Sequence, residues 1–267
     1  MSELTAWEHL QIVRNKERPT VLDYIPLIFD DFYECRGDRL YSDDRAIIGG
    51  IARFHSIPVT IIAQVKGKDL ETNKEHNFAM AHPEGYRKAL RLAKQAEKFH
   101  RPVICFIDTP GAYCGIGAEE RGQGEAIARN MMEFMSLKTP IISIVTGEGG
   151  SGGALALGVC DELAMLENAV YSVVSPRGCA NILWKDGSRE KEAANLLRIT
   201  AEDLIQLEIA DYEIPEPAGG AHNSLSLMSQ NIATYIFEAL QRISQKDLAN
   251  LMESRYNKFR KIGVYSE

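Results

Sequence analysis

A run of glycines at 147–153 (GEGGSGG) has the clearest chemical pattern in the sequence. It follows a strand-like apolar segment and precedes a helix-like segment rich in Ala and Leu. A strand that leads through glycines into a helix directs several backbone N–H groups to one point, where the helix dipole adds partial positive charge. Glycine also leaves room for close approach. The first of three interpretations is therefore an oxyanion pocket of backbone amides, which needs no catalytic side chain.

The same run also matches the dinucleotide-binding pattern GxGxxG. Gly147, Gly149 and Gly152 would approach the pyrophosphate, and Glu167, twenty residues further on, would bind the ribose. The run lies in mid-chain, after earlier strand–helix units, whereas this fingerprint normally follows the first strand of its fold. Its position counts against a dinucleotide site.

A third interpretation is the nucleophile elbow of a hydrolase. Residues 149–153 fit the pattern GxSxG with Ser151 at its centre. The base would be His222, the only histidine after Ser151, and the acid would be Asp186 or Asp211. This mechanism requires these side chains to meet in the folded chain.

A second glycine turn, DTPGAYCGIG at 108–117, follows another strand-like segment. Its first four residues match the DxxG element of GTPases, but the sequence contains no P-loop pattern GxxxxGK[ST], which excludes a GTPase. Ligands of α/β proteins bind at the carboxyl ends of strands, so we expect both turns to face one pocket. The candidate substrate-binding residues in the two turns are Gly149, Gly150, Gly111, Ala112, Tyr113 and Gly115.

Four carboxylates near the turns are candidates for an acid or a base: Glu119, Glu120, Glu125 and Glu148. Glu119 and Glu120 equally suit the positive end of the helix that follows the second turn. The histidines and cysteines show no metal-ligand spacing, so we expect no metal site in this chain.

A basic stripe of Arg87, Arg91, Lys94 and Lys98 runs along one predicted helix of an otherwise acidic protein. Spacings of three and four residues place these side chains on one helix face. The stripe fits the phosphates of an acidic cofactor or an acidic partner. A solvated helix face is the simpler interpretation.

The overall composition excludes several classes of protein. The chain has 267 residues with 30 Lys+Arg and 37 Asp+Glu, and its net charge of −7 argues against general binding of nucleic acid or anionic membrane. It has neither an apolar stretch long enough to cross a bilayer nor a signal-peptide pattern. Five cysteines, odd in number and without CxxC spacing, indicate reduced thiols in the cytoplasm.

The segments around these motifs alternate between strand-like and helix-like patterns. Residues 1–35 and the C-terminal third are predicted to be mainly helical, 66–82 to be an irregular loop, and 83–99 and 119–137 to be helices. The predicted strands are 46–54, 58–65, 103–107, 141–145, 163–166 and 170–174. A capping-box pattern at 200–203 starts one more helix. This alternation indicates an α/β architecture with buried strands.

The sequence resembles a known family at both turns and beyond them. FIDTPGAYCGIGAEERGQGEAIARN (106–130) and GEGGSGGALALGV (147–159) are similar to the α subunit of the carboxyltransferase of bacterial acetyl-CoA carboxylase. Four further segments are similar to the same family in the same order: 18–53, 83–99, 171–185 and 199–222. The resemblance covers nearly the whole chain.

The resemblance implies a crotonase-like spiral of ββα units and an active site shared with a partner. The partner would be a β subunit of similar fold that carries a zinc ribbon, in a heterotetramer of two α and two β subunits. Together they would move a carboxyl group from carboxybiotin to acetyl-CoA and form malonyl-CoA for fatty acid synthesis. Biotin carboxyl carrier protein would hold the biotin, which the ATP-dependent biotin carboxylase would charge.

The family also implies roles for particular residues. In its members, backbone amides of the second glycine pair hold the ureido oxygen of biotin, and by motif match these are Gly152 and Gly153, with Ala154 next. Biotin itself can serve as the base, so no protein base is required. We expect Gly153→Val to nearly abolish turnover while leaving the fold intact.

Several features depart from the family pattern. Cys114 stands where proline is usual, Arg177 stands where glutamate is common, and the loop 67–79 differs from the usual basic stretch. We also expect this chain to lack the N-terminal helical extension of many α subunits. These differences concern partner pairing and surface contacts more than the chemistry.

The expected organisation is one domain over residues 1–267, with a core at about 18–222 and a helical C-terminal segment at about 223–267. Besides the hydrolase that would use Ser151, three alternatives to the main interpretation remain open. The first is a self-contained crotonase-type hydratase or thioesterase that uses Glu119, Glu120 or Glu148. The others are a carboxyltransferase for another acyl-CoA and a scaffold that only organises a partner's site.

Overall fold

An eight-stranded sheet forms the centre of the chain, for which the computed structural model describes residues 4–263. The strands are β1 (Asp30–Glu34), β2 (Ile47–Phe54), β3 (Ile57–Gln64), β4 (Val103–Thr109), β5 (Ile141–Gly150), β6 (Glu162–Leu166), β7 (Val170–Ser172) and β8 (Tyr212–Ile214). Their order is β1-β2-β3-β4-β5-β6-β8, and β7 pairs with the end of β5. The pairs β1–β2 and β2–β3 are antiparallel, and the other named pairs are parallel.

Twelve α-helices surround the sheet within the described residues. They are α1 (Ala6–Val13), α2 (Val21–Ile28), α3 (Leu70–Glu75), α4 (Pro83–Lys98), α5 (Ile116–Glu120), α6 (Gln123–Ser136), α7 (Ser151–Gly158), α8 (Pro176–Trp184), α9 (Glu190–Leu196), α10 (Ala201–Gln206), α11 (Leu225–Ser244) and α12 (Leu248–Arg260). α4 packs on β2 and β3, whereas α7 packs on β4 and β5. All seven residues of β4 are buried, so the sheet is covered on both faces there. Over the described range, no helix is both long and apolar enough to cross a membrane.

The predicted α/β architecture is confirmed. β2, β3, β4 and α4 end within two residues of their predicted bounds. β5 continues five residues beyond the predicted strand, to Gly150, because its last residues pair with β7. At the ends of the predicted domain, residues 1–3 and 264–267 lie outside the described residues.

Two predicted assignments are wrong, and one strand was not predicted. Residues 30–34 form β1 instead of helix, because Phe29 ends α2 in an extended conformation and the chain then pairs with β2. Residues 70–75 form α3 instead of an irregular loop, because the Asp69 carboxylate caps the helix by accepting the Thr72 N–H at 2.8 Å. The short strand β8 lies beside β6, within the mainly helical C-terminal third.

The C-terminal helix α12 is tied to the sheet by a buried arginine. Arg255 is 1% exposed, and its Nη2 lies 2.8 Å from Asp161 Oδ2. The same guanidinium donates to three backbone carbonyls at the end of α6 and the start of β5: those of Phe134, Leu137 and Thr139. One side chain thus joins α12 to the helix and the strand that flank the two glycine turns.

We expect Arg255→Ala to lower the free energy of unfolding by about 3–5 kcal/mol, because the Asp161 charge would stay buried without its partner and three carbonyls would lose their donor. Urea denaturation measures the change. Arg260→Ala, at an exposed position of the same helix, is the control and is expected to change stability by less than about 0.5 kcal/mol. Equal effects of the two substitutions would contradict the anchoring role.

Candidate functional site

The two glycine turns are in direct backbone contact at the carboxyl ends of β4 and β5, which are adjacent and parallel. A Cβ atom built on Gly153 would lie 2.6 Å from both the amide nitrogen of Ala112 and the carbonyl carbon of Gly111, closer than real side chains pack. A Cβ on Gly150 would likewise overlap the Pro110 carbonyl. The turns can approach this closely only because glycine occupies these positions.

The first turn of α7 presents backbone donors at this contact. Its N-cap is Gly150, which provides no side-chain cap, and the first N–H groups of a helix have no intrahelical acceptor. Ser151 has a left-handed φ of +50°, which turns the chain sharply from β5 into α7. Gly152 is half-buried, and Gly153 and Ala154 are buried. This geometry suits the binding of a negatively charged oxygen.

Two side chains from other strands hold the connection between β5 and α7. Gln64, the last residue of β3, donates from Nε2 to the Gly153 carbonyl at 2.7 Å. Asp108 of β4 accepts the Glu148 N–H at 3.0 Å. Gly147 provides the space for the Asp108 carboxylate, because a Cβ atom there would overlap it. The backbone on both sides of the glycine run is therefore restrained.

The turn after β4 is held by a threonine and a glutamine, both buried. Thr109 Oγ1 accepts the Gly111 N–H at 3.1 Å. Gln123, the first residue of α6, donates to the carbonyls of Ala81 and Tyr113, each at 2.8 Å. These bonds set the position of the Gly111–Ala112 peptide that touches α7.

Tyr113 and Gly115 anchor this turn to the segment before α4. The Tyr113 ring stacks on His82 with a centroid distance of 4.0 Å and an interplanar angle of 23°. Its N–H bonds to the Ala81 carbonyl, and Gly115 leaves space for its ring. Of the predicted substrate-binding residues in this turn, Gly111 and Ala112 are the ones that contact the α7 backbone.

A charged cavity of about 300 Å³ adjoins the end of β5. Within it, Arg14 Nη2 lies 2.9 Å from Glu148 Oε2, and Lys66 Nζ lies 3.3 Å from Glu148 Oε1. Burial favours a raised pKa for Glu148, but Lys66 and Arg14 outweigh burial and hold the pKa below 4.5. Glu148 is therefore an ion-paired carboxylate, which makes it a weak general base.

The other candidate carboxylates lie on the surface. Glu119 and Glu120 are exposed on α5. Glu125 is also exposed, and its Oε1 lies 2.5 Å from Arg129 Nε one turn further along α6. None of these three side chains is desolvated, as a carboxylate tuned for acid–base catalysis usually is.

The basic stripe of α4 is mostly engaged inside the molecule. Arg87 Nε lies 2.8 Å from Asp38 Oδ2, and Arg91 donates to the Gly37 carbonyl at 3.0 Å. Lys94 pairs with a glutamate of α6. Arg87 and Arg91 form neither the predicted phosphate site nor a solvated helix face, so both interpretations are wrong for them. Their guanidinium groups instead hold the loop between β1 and β2.

The structure does not bring together the catalytic triad of a hydrolase. His222 Nε2 lies 3.1 Å from Asn15 Nδ2. Asp186 accepts hydrogen bonds from its own turn, and Asp211 pairs with a lysine of α12. Ser151 therefore lacks both the base and the acid that this mechanism requires.

A largely apolar cavity of about 320 Å³ opens beside the first turn of α7. Ser151 and Gly152 line it together with Tyr171 and several leucines and isoleucines. Gly149 shapes this cavity indirectly, because a Cβ atom there would lie 2.6 Å from Cδ2 of the Tyr171 ring. The donors of α7 thus border an apolar space.

The described residues contain no group of three or more His, Cys, Asp or Glu side chains arranged to hold a metal ion. The cysteines at 35, 105, 114, 160 and 179 are free thiols. Cys114, in the turn after β4, is the exposed one.

Comparisons with known sequences place the chain in a family. Residues 1–263 match the family described as acetyl co-enzyme A carboxylase carboxyltransferase-like. This chain belongs to that family. The acetyl-coenzyme A carboxylase carboxyl transferase subunit alpha of Listeria monocytogenes is 59% identical over 264 residues, which cover 99% of this chain and 83% of the relative. The same subunit of Clostridium acetobutylicum is 56% identical over 265 residues, which cover 99% of this chain and 97% of the relative.

Solved structures of other proteins share the fold. Transcarboxylase 12S superposes with a TM-score of 0.71 at 17% identity, over 90% of this chain and 45% of the transcarboxylase chain. A Pseudomonas malonate decarboxylase hetero-tetramer in complex with coenzyme A gives a TM-score of 0.63 at 18% identity, over 81% of this chain and 89% of that one. The predicted crotonase-like fold is confirmed.

The family also bears on the predicted enzyme class. The predicted resemblance to the carboxyltransferase α subunit and the predicted enzyme class are confirmed. The comparisons support neither the hydratase nor the thioesterase alternative. The acid of the dinucleotide pattern, Glu167, accepts the Glu216 N–H at 2.8 Å within the fold.

Several residues of this region were not predicted as site residues. Gln64 carries a signal in the sequence, because a polar side chain at the end of an apolar strand needs a buried partner. Arg14 and Arg18 carry none, since their partners are distant in sequence. Arg18 Nη2 lies 2.6 Å from Glu216 Oε1, in a buried ion pair, and donates to the Thr146 carbonyl at 2.9 Å.

The expectation that Gly153→Val leaves the fold intact is wrong, because even one carbon at Gly153 would overlap the turn after β4. We expect Gly153→Ala to lower the free energy of unfolding by about 1–3 kcal/mol through overpacking. Gly152→Ala is the matched control, since its Cβ atom would meet Ile127 Cγ2 at an ordinary 3.5 Å. Urea denaturation of both variants checks the difference, and equal losses would contradict the contact.

The ion pair of Lys66 with Glu148 predicts a pH-dependent effect on stability. The folded-state pKa of Glu148 lies below 4.5, so the carboxylate stabilises the fold above that pH and this contribution is lost as the pH falls through the folded-state pKa. The loss in free energy of unfolding caused by Lys66→Met should therefore be largest at neutral pH and should become smaller below pH 4.5. Urea denaturation over a pH series measures it. Lys16 is exposed in the same cavity, and the effect of Lys16→Met on the free energy of unfolding should not depend on pH in this way.

Proposed function

We propose that this chain is the α half of a carboxyltransferase that transfers the carboxyl group of carboxybiotin to acetyl-CoA and forms malonyl-CoA, the first committed step of fatty acid synthesis. The carboxybiotin would be carried on biotin carboxyl carrier protein and supplied by biotin carboxylase. The observation that carries the proposal is the uncapped first turn of α7 beside the Gly111–Ala112 turn, in a chain of this family. The names of the relatives support acetyl-CoA as the acceptor.

The proposed reaction develops negative charge on two oxygens. The bond between the biotin nitrogen and the carboxyl carbon breaks, which releases CO2 and leaves the electron pair on the ureido group. The biotin nitrogen then takes a proton from the methyl group of acetyl-CoA. The resulting enolate attacks CO2, and the new C–C bond completes malonyl-CoA. Both the ureido oxygen and the thioester oxygen need hydrogen-bond donors during these steps.

In this proposal the ureido oxygen of biotin binds the amides of Gly152 and Gly153, with Ala154 next along the helix. Fixed N–H donors stabilise a developing oxyanion without reorganising, and each donor is worth about 3 kcal/mol in other enzymes. The dipole of α7 adds to this effect because its positive end lies at the same place. The apolar cavity beside Gly152 strengthens it further by lowering the local dielectric.

The proposed mechanism needs no protein base, and the carboxylates nearby fit that requirement. Glu148 is paired with two cations, and Glu119 and Glu120 are exposed. The proton passes between the substrates, so the protein has only to bind and orient them.

The proposal includes a β subunit that completes the site in a heterotetramer. The relatives are named α subunits, and structural neighbours include hetero-dimers and hetero-tetramers. Large apolar side chains near α8 support a covering partner, since Val173 is 78% exposed and Ile182 is 73% exposed. The free cysteines suit a reducing compartment, and we place the complex in the cytoplasm.

We test the proposal by measuring malonyl-CoA formation from carboxybiotin and acetyl-CoA with this chain alone, with a cognate zinc-ribbon β subunit alone, and with both. Only the mixture should be active, because each subunit supplies part of the site. Full activity of this chain alone would contradict the shared site, and an inactive assembled mixture would contradict the reaction.

Glu119→Gln and Glu120→Gln separate this mechanism from one that uses a protein base. Each variant, assembled with the β subunit, should retain kcat within a factor of about ten, whereas loss of a general base costs about 100-fold or more. A 100-fold loss in either variant would favour the crotonase-type alternative.

A further inference from the structure

Gln64 is a buried polar residue in an otherwise apolar strand end, and its partner is the glycine run. We propose that Gln64 is a positioning residue, whose side-chain amide holds the Gly153–Ala154 peptide so that the N–H groups of α7 face the reacting oxygen. The inference rests on the proposed function, because it concerns the donors that would stabilise the ureido oxygen. Gln64 itself does not touch the substrate in this proposal.

The surroundings of Gln64 indicate that the amide is required for its hydrogen bond rather than for packing. Its side chain is 1% exposed, and its neighbours Ile62, Ala63 and Val65 are fully buried. Burying an amide costs free energy unless it is hydrogen-bonded, so a position used only for packing would favour an apolar residue. Gln64 Nε2 makes its hydrogen bond with the Gly153 carbonyl, 89 residues away in sequence.

The hydrogen bond acts on the donors through the geometry of the peptide group. A trans peptide is planar and its C=O and N–H point in opposite directions, so a fixed Gly153 carbonyl also fixes the Ala154 N–H. The same bond restrains the first turn of α7, which carries the proposed donors Gly152 and Gly153. Four of the five residues before Ala154 are glycines, which have the greatest backbone freedom. The contact of Gly153 with the Gly111–Ala112 turn limits its translation, and the bond from Gln64 limits rotation of the peptide.

The unpaired side-chain oxygen of Gln64 guides the choice of substitution for the test. Within the described residues, Gln64 Oε1 is buried and has no hydrogen-bond partner. Gln64→Met keeps the length of the side chain and removes both the useful donor and this unsatisfied acceptor. The substitution removes an unsatisfied acceptor but leaves the Gly153 carbonyl without this donor, so some loss of stability is expected. A loss of activity therefore reports on positioning when urea denaturation shows that the variant is still folded under the assay conditions.

The control is Ser143→Ala. Ser143 of β5 donates from Oγ to the Leu157 carbonyl at 2.6 Å, so it also joins a buried strand side chain to α7, but at the other end of the helix. It tests whether any lost hydrogen bond to α7 lowers activity.

The experiment measures kcat and KM of the complex assembled with the β subunit, together with stability by urea denaturation. Gln64→Met should lower kcat by about 10- to 100-fold with KM for acetyl-CoA unchanged, because misplaced donors weaken binding of the transition state. Ser143→Ala should keep the kcat of the original sequence. An unchanged kcat in Gln64→Met, or an equal loss in both variants, would overturn the inference.

Gln64→Glu provides a rescue with a characteristic pH dependence. A buried carboxyl group has a raised pKa, and its protonated form can donate to the Gly153 carbonyl as the amide does. At acid pH, the kcat of Gln64→Glu, as a fraction of that of the original sequence, should exceed the same fraction for Gln64→Met. As the pH rises, the fraction for Gln64→Glu should fall towards that for Gln64→Met. If Gln64→Glu is no more active than Gln64→Met at acid pH, the donor is irrelevant and the inference fails.

Hydrogen exchange separates this inference from the proposed function. In Gln64→Met, the amides in a peptide spanning residues 150–156 should exchange faster than in the original sequence and in Ser143→Ala, whatever reaction the complex catalyses. An inactive assembled complex with faster exchange would reject the proposed reaction and keep the positioning role. Unchanged exchange would overturn the positioning role even in an active complex.

Discussion

The contact between Gly153 and the Gly111–Ala112 peptide is the constraint on which the rest of the site depends. β4 and β5 are adjacent parallel strands, and adjacent strands lie about 4.8 Å apart. The chain segments that follow β4 and β5 therefore lie close enough for their backbones to be in contact. A Cβ atom at Gly153 or Gly150 would force them apart and move the first turn of α7 away from the turn after β4.

The side chains around this contact keep the electrostatic potential at the start of α7 suitable for an anion. The side chains that brace the backbone, Gln64 and Gln123, are neutral amides that donate to carbonyls, so they add no net charge. The two carboxylates nearby, Asp108 and Glu148, would oppose a developing oxyanion. Lys66 lies 3.6 Å from Asp108 Oδ1 and 3.3 Å from Glu148 Oε1 and offsets much of their charge. The helix dipole and the uncapped amides then dominate at the start of α7.

The sequence predicts the strands and glycine turns well, because these depend on local patterns. The apolar run of β4 and the glycines after β5 are visible without any knowledge of tertiary structure. The predictions fail where the structure of a segment depends on a partner that is distant in sequence. Residues 30–34 form a strand only because β2 is available beside them, and the arginines of α4 are engaged because the loop after β1 folds over them. The partner of Gln64 likewise lies 89 residues away, so its pairing cannot be inferred from spacing.

The two glycines of the proposed oxyanion pocket lack a side chain for different physical reasons. Gly153 faces another backbone, so its missing side chain allows two chain segments to approach each other. Gly152 has ordinary space around it and borders the apolar cavity, so its missing side chain leaves room for a ligand. In the proposed site, Gly153 would set the position of the donors and Gly152 would set access to them. The proposed pocket of backbone amides would thus be specified through the absence of side chains, and it would need no catalytic side chain.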